Sequence, residues 1–234
     1  FVACHQGHVD AARLLLNIGA DVNRANGWKL TPLSIAQSRG HSAIAALLEE
    51  KKQREAAAVA DMASMSLFDA CKEGRSDVVQ AWLNKGAEVD WANTWGETPL
   101  FVACQNDHRE AARLLLEQGA EVDRADVDGR TPLFAACVKG QVDLARLLLG
   151  NGAEVDGPVS EGLYEGQTPL YVACGNGHVD AARLLLDKGA KGNRATRNGK
   201  TPLSIAKKNG HSAVVVDGEL FCPGESLLVF ELVD

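Results

Sequence analysis

The chain has 234 residues, 46% of them apolar and 5% aromatic, with a net charge of −7. A leucine- and alanine-rich chain of this length can bury a large core of short helices, and its mild acidity offers nucleic acid no global attraction. No run of 18 apolar residues is present, so no membrane-inserted helix is expected, and the first residues show no signal-peptide pattern.

Phe1-Val-Ala-Cys4 repeats Phe101–Cys104, which follows Thr98-Pro-Leu. The chain is therefore expected to begin inside a repeat, as part of a longer protein. Thr-Pro-Leu itself occurs at Thr31, Thr98, Thr131, Thr168 and Thr201, at separations of 67, 33, 37 and 33 residues. That is a 33-residue period with one doubled interval and one four-residue insertion. A fixed period in this range marks a stacked solenoid, whose work is normally to present a surface and not to catalyse.

The stretch from Thr98 shows one unit. Thr98 suits an N-cap and Pro99 the first helical position, where no N–H is needed. A short helix is expected over Pro99–Gln105 and a second over Arg109–Gln118, with Leu114–Leu116 as core and Gly119 ending it. Other copies place Gly between the helices, at Gly7, Gly40, Gly74, Gly140, Gly177 and Gly210. Asp128-Gly129 then signals a tight turn into the next Thr-Pro-Leu.

These residues resemble the ankyrin repeat: Thr-Pro-Leu, Gly-His between helices, a triple-leucine second helix, Gly-Ala, then a hairpin loop. The resemblance spans about residues 1–213. It implies an all-α solenoid of stacked helix-turn-helix units with β-hairpin loops. One departure is that the His usual after Thr-Pro-Leu is replaced by Ser34, Phe101, Phe134, Tyr171 or Ser204. The local network around the Thr is therefore expected to differ.

Seven repeats are counted, the first partial and the last cut short. Residues 4–44 match 174–214, both ending in Thr-Pro-Leu-Ser-Ile-Ala and Gly-His-Ser-Ala, so that form is read as a module terminator. The expected organisation is a first module over 1–55, a helical junction over 56–65, a second module over 66–216 and an atypical tail over 217–234. In the junction region Glu50–Arg54 and Lys51–Glu55 are spaced to favour a longer exposed helix. The tail carries β-branched runs around a Pro-Gly turn and could be a hairpin, the first strand of a further domain or a non-native end.

Cys4, Cys71, Cys104, Cys137 and Cys174 share one repeat position. Stacked helices lie about 8–10 Å apart, beyond the roughly 7 Å that a disulfide spans. A column of reduced, buried thiols is expected, which favours a reducing compartment, the cytoplasm or alternatively the nucleus. Ligand spacing for zinc is lacking. The histidines opening second helices (His8, His41, His108, His178, His211) are expected to satisfy inter-helix backbone groups. Asp10–Arg13, Glu110–Arg113, Asp143–Arg146 and Asp180–Arg183 read as solvated helix-face pairs.

The resemblance further implies partner binding through hairpin tips and the concave first-helix face. Mapped residue by residue, the candidates at the tips are Trp28, Trp95, Glu97, Asp128, Arg130, Tyr164, Arg197 and Lys200. Those at first-helix ends are Gln105, Asn106, Lys139, Lys207 and Lys208. Exposed aromatics are favoured anchors, although each could lie across its neighbouring hairpin, the reading favoured for Trp28. Trp82 reads as core. Ten acidic and three basic residues lie between Gly86 and Gly129, against seven basic and no acidic between Lys188 and Lys208. That polarity would orient a partner of opposite polarity.

The expected function is a monomeric, non-catalytic scaffold for protein partners, with no cofactor, metal or small-molecule substrate. Nucleic acid is disfavoured because aromatics do not interleave the basic end. The rival expectation is a targeting arm of a larger multidomain enzyme, such as a kinase or ubiquitin ligase, whose catalytic part lies outside this sequence.

Overall fold

A computed structural model of the chain describes residues 1–159, 164–216 and 219–220. Helices start where the threonines stand. Thr98 is extended (φ −87°, ψ 164°) and Pro99 opens the helix. In all five Thr-Pro-Leu copies the Thr hydroxyl accepts the backbone N–H three residues on, at 3.1–3.2 Å. The residue at that third position sets the rest of the cap. Ser34 and Ser204 reciprocate by accepting the N–H of Thr31 and Thr201 at 2.9 Å. Phe101 and Phe134 have no acceptor and the Tyr171 hydroxyl stands at the far end of its ring, and all three rings are buried instead.

The chain divides into two compact units, Phe1–Met65 and Ser66–Asp234. The first holds α1 (Val2–Gln6), α2 (Val9–Asn17), α3 (Pro32–Ser38) and α4 (Ser42–Asp61). Helix α4 is one uninterrupted 20-residue helix that includes most of the stretch read as a junction. Glu50 and Arg54 pair on it at 2.5 Å, whereas Glu55 takes the Asn23 amide at 3.4 Å.

The second unit contains α5 (Leu67–Glu73), α6 (Ser76–Asn84), α7 (Pro99–Gln105), α8 (Arg109–Glu117), α9 (Pro132–Lys139), α10 (Val142–Gly150), α11 (Pro169–Gly175), α12 (Val179–Asp187) and α13 (Pro202–Lys208). Helices α5, α7, α9, α11 and α13 stack as one layer, and α6, α8, α10 and α12 as the other. Leu100, Leu133 and Leu170 of the first layer and Leu115, Leu148 and Leu185 of the second fill the space between them. A 3-10 turn, Ser212–Val214, leads into β1 (Val215–Val216), which pairs antiparallel with β2 (Glu219–Leu220). The remainder of the tail read at 217–234 lies outside the described residues, as do residues 160–163 of the enlarged hairpin.

Four of the hairpin loops are turns clamped by one polar side chain, Asn26, Asn93, Asp126 or Thr196. Asn93 Oδ1 accepts from the N–H groups of Trp95 and Glu97. Asn26 and Asp126 do the same for their own loops. One backbone bond closes each turn, as from Asp126 N–H to Arg130 O at 3.0 Å. The last turn residue is left-handed: Gly96, Gly129 and Gly199, but Lys29 (φ 60°) in the first unit.

Repeats are joined by two ladders. In one, a loop aspartate accepts the N–H of the following repeat: Asp90 from Glu121, Asp123 from Glu154 and Asp156 from Lys191, at 3.1–3.3 Å. In the other, the imidazole opening a second helix donates from Nε2 to a first-helix carbonyl one repeat back. His41 reaches His5 O, His108 reaches Lys72 O and His178 reaches Val138 O, at 3.0–3.2 Å. The ring lies over the left-handed glycine of that preceding turn. A Cβ built on Gly7, Gly74, Gly140 or Gly177 would approach the ring to 2.3–2.7 Å.

One seam breaks the rule on both sides. Asp107 (φ 64°) stands where the glycine should be, and Gln141 replaces the histidine that would cover it. A Cβ leaves no room for an imidazole, so a flexible amide takes its place. The amide does not replace the bond: Gln141 Oε1 is buried with no partner among the described residues.

Two outcomes are expected in urea denaturation. Gln141→His alone destabilises, and Asp107→Gly combined with Gln141→His exceeds the wild type, with a coupling of ~1–2 kcal/mol in a double-mutant cycle. Leu115→Ala, at a site 0% exposed, costs ~2–5 kcal/mol by cavity formation. Leu15→Ala, at the same repeat position but 42% exposed, costs markedly less.

Candidate partner-binding face

The helix-end and hairpin candidates fall into three groups. Four of them meet at one depression. Gln105 and Lys139, from the ends of α7 and α9, and Arg130 and Tyr164, from successive loops, line it with Phe101, Phe134, Ala135 and Val138. The Arg130 guanidinium lies over the Phe101 ring at 5.7 Å and the Tyr164 ring at 5.8 Å. Tyr164 in turn meets Phe134 edge-on, with centroids 5.6 Å apart.

The second group serves the fold. Arg130 donates from Nε to Asp126 Oδ2 at 2.7 Å, and its Nη2 also reaches Asp128 at 3.4 Å. Asp126 is buried there, so Arg130 is held in place by a carboxylate already fixed by its own turn. Glu97 accepts from the Asn93 amide at 2.9 Å and closes its loop. Asn106 donates to Val102 O of its own helix at 2.8 Å.

The third group points to solvent. Trp95 is 67% exposed, and its backbone carbonyl accepts the Val127 N–H of the next tip at 2.9 Å. Trp28, in the first unit, is 84% exposed. The expectation that it lies across a neighbouring hairpin is not met, since it borders the left-handed Lys29 turn and covers nothing. Arg197 pairs with Glu165 at 2.9 Å while staying exposed. Lys200, Lys207 and Lys208 are exposed, and their ammonium groups, like those of Lys188 and Lys191, pair with no carboxylate among the described residues.

Sequence reasoning missed Trp91. It is 53% exposed and meets Phe68 edge-on at 6.2 Å. Aligning loops shows the signal: the position is Arg24, Arg124 and Arg194 in three others and Gly157 in the enlarged hairpin, so Trp91 is the one aromatic there. Trp82, expected as core, is half-buried, and Leu83 beside it goes inside.

Charge is distributed unevenly between use and exposure. Within Gly86–Gly129 the carboxylates of Asp90, Asp123, Asp126 and Asp128 are engaged by backbone N–H groups or Arg130. Glu110 and Glu117 hold Arg113. Burial pushes Asp123 above the usual carboxylate range, with the Glu154 N–H offsetting part of that rise. The second-helix face pairs Glu110–Arg113 and Asp180–Arg183 form as expected. Asp143 takes Arg109 of the preceding repeat at 3.3 Å.

The five cysteines of the column are buried and free. Burial pushes the Cys71 and Cys174 thiols up to about 12, and raises those of Cys104 and Cys137 as well. A thiolate nucleophile is therefore disfavoured at these positions. No cluster of His, Cys, Asp and Glu suited to a metal ion occurs among the described residues, and no described helix is long and apolar enough to cross a membrane.

Comparison with protein families agrees with this geometry. A model described as ankyrin repeats (3 copies) matches residues 67–158 and again 156–216, and one described as ankyrin repeats (many copies) matches residues 1–49. Such repeats generally act as protein–protein interaction modules. Matched over most of its length, and built of Thr-capped helix pairs joined by histidine-on-glycine seams, the chain belongs to the ankyrin repeat family.

Proposed function

We infer that the protein is a non-catalytic scaffold that captures partner proteins on the hairpin and first-helix face of its second unit. One observation carries this reading. The exposed tryptophans and the lysines without carboxylate partners collect on loops and first-helix ends, whereas the second-helix face neutralises its own charges. Tip aromatics supply anchors, and cations without partners supply a preference for acidic surfaces. Trp95, Lys200, Lys207 and Lys208 form the primary contact set, with Arg197 and Tyr164 beside them. Trp28 offers a separate contact on the first unit. The module organisation read above, 1–55 and 66–216, is retained as part of this proposal, as is a monomeric state.

The test is affinity capture with quantitative mass spectrometry. Trp95→Ala combined with Lys200→Glu, Lys207→Glu and Lys208→Glu is expected to lower partner recovery ~tenfold or more with circular dichroism and melting unchanged. Full recovery of every partner by this variant would reject the face.

The buried thiols support residence in a reducing compartment, the cytoplasm or nucleus. Their chemistry has a sign that can be checked. The folded thiols of Cys71 and Cys174 stand near 12, above the ordinary value of 9.0. Their contribution to stability is therefore complete below pH 9 and is lost as pH rises from there towards 12. A disulfide exchange reagent at pH 8 is expected to leave Cys71, Cys104, Cys137 and Cys174 unmodified until urea unfolds the array. The urea midpoint is expected to fall between pH 9 and pH 11.

A further inference from the structure

We propose that the depression between α7 and α9 is a side-chain subsite that takes one branched aliphatic residue of an acidic peptide segment. This rests on the scaffold reading above and specifies its ligand chemistry. The depression coincides with a departure in one repeat. In the helices that open with Thr-Pro-Leu, the fourth residue is β-branched at Ile35, Val102, Val172 and Ile205, but is Ala135 in α9. Where Ala135 lacks those methyl groups, it lines a depression of about 60 Å³ with Phe101, Phe134 and Tyr164. Against the ~150 Å³ of a cavity that takes a benzene ring, that suits an isopropyl or isobutyl end and not an indole.

The lining is aromatic, and the Arg130 guanidinium braces it from between two rings. Asp126 and Asp128 already balance Arg130, so it supplies a rigid plane and not a free charge. The free charge comes from the same repeat. At the end of α9 stands Lys139, where the other repeats of this unit have Asn106, Asn176 and Asn209, and Glu73 at the end of α5. Those asparagines bond first-helix carbonyls. Lys139 is exposed and meets no carboxylate among the described residues. From Lys139 onward the first-helix ends of α9, α11 and α13 add Lys207 and Lys208 and no carboxylate. An aliphatic contact flanked by a run of cations fits a peptide of opposite charge with one apolar residue.

The α9 repeat thus departs from its neighbours at Ala135 and Lys139 together, and both departures face the same ligand. The test uses fluorescence anisotropy on the whole chain with short fluorescein-labelled peptides of Glu and Asp carrying a central Leu, Ala or Trp. A Lys-rich peptide with a central Leu is the charge control. The acidic Leu peptide is expected to bind ~tenfold tighter than its Ala counterpart, with Trp no better than Ala. Ala135→Val, which installs the residue found at 102 and 172, is expected to melt like the wild type and to erase the Leu advantage. Lys139→Glu is expected to weaken all the acidic peptides together.

Equal binding of Leu and Ala peptides, a Leu preference that survives Ala135→Val, or no acidic peptide binding overturns the subsite. Tighter binding of the Lys-rich peptide or of a single-stranded oligonucleotide overturns it too. The wider scaffold reading fails separately, through the capture experiment: recovery that depends on Trp95 and Lys200 while Leu and Ala peptides bind alike leaves the scaffold standing and removes the subsite.

Discussion

An imidazole resting on a backbone without a Cβ is the contact from which the repeat geometry follows. The glycine between the two helices is left-handed, which ends the first helix, and its bare Cα admits the ring of the next repeat to van der Waals distance. The ring nitrogen then donates to the carbonyl two residues before that glycine. One contact therefore joins the end of a first helix, the turn and the start of a neighbouring second helix. That tolerance is narrow, which is why Asp107 and Gln141 change together. Either substitution alone would leave a ring against a Cβ or an open seam, and the amide that resolves the clash leaves a buried oxygen without a partner.

With the helices locked at the seam, the hairpins are released from holding the stack together by their tip side chains. Three of the turns are closed by their own Asn or Asp, whose side chain accepts two N–H groups of the same loop, and the Thr196 hydroxyl accepts one in the turn that carries Lys200. Tip residues outside that clamp can vary without loosening the array. The clamp also decides which candidates are available to a partner. Glu97 and Arg130 are drawn into closing or bracing their loops, whereas Trp95 and Lys200 contribute only backbone groups and leave their side chains outside.

The fold was legible because its determinants repeat at short offsets. Thr-to-third-residue caps, Pro at the first helical position and Gly after the last turn all act within four residues, so α7 runs over Pro99–Gln105 as the sequence implies. The site was legible only in part, because its contacts join residues about 31–40 apart. Asp123 to Glu154, Asp156 to Lys191 and His178 to Val138 are neighbours in space that no local pattern connects. Aligning the repeats as columns would have exposed Trp91 among arginines and Ala135 among β-branched residues, since both are exceptions within a column and ordinary along the chain. What no alignment shows is that Arg130 slides between Phe101 and Tyr164, because the ring of Tyr164 comes from the loop that carries the insertion.

The charge asymmetry of the second unit has a chemical origin in the same ladders. Loop ends present backbone N–H groups that need acceptors, and a carboxylate supplies them. An acidic residue on the loop is thus readily absorbed into the structure, as Asp90, Asp123 and Asp156 are. An ammonium group only donates and cannot serve those N–H groups. Arginine shares this limit and serves carbonyls instead: Arg194 donates to Asp156 O at 3.1 Å. Lys188, Lys191, Lys200, Lys207 and Lys208 stay exposed. A repeat array that accumulates both signs therefore consumes its acids internally and displays its lysines. The sequence count of ten acids against three bases in one region overstates the negative charge a partner would meet there. The count of seven bases over Lys188–Lys208 is much closer to what that end displays.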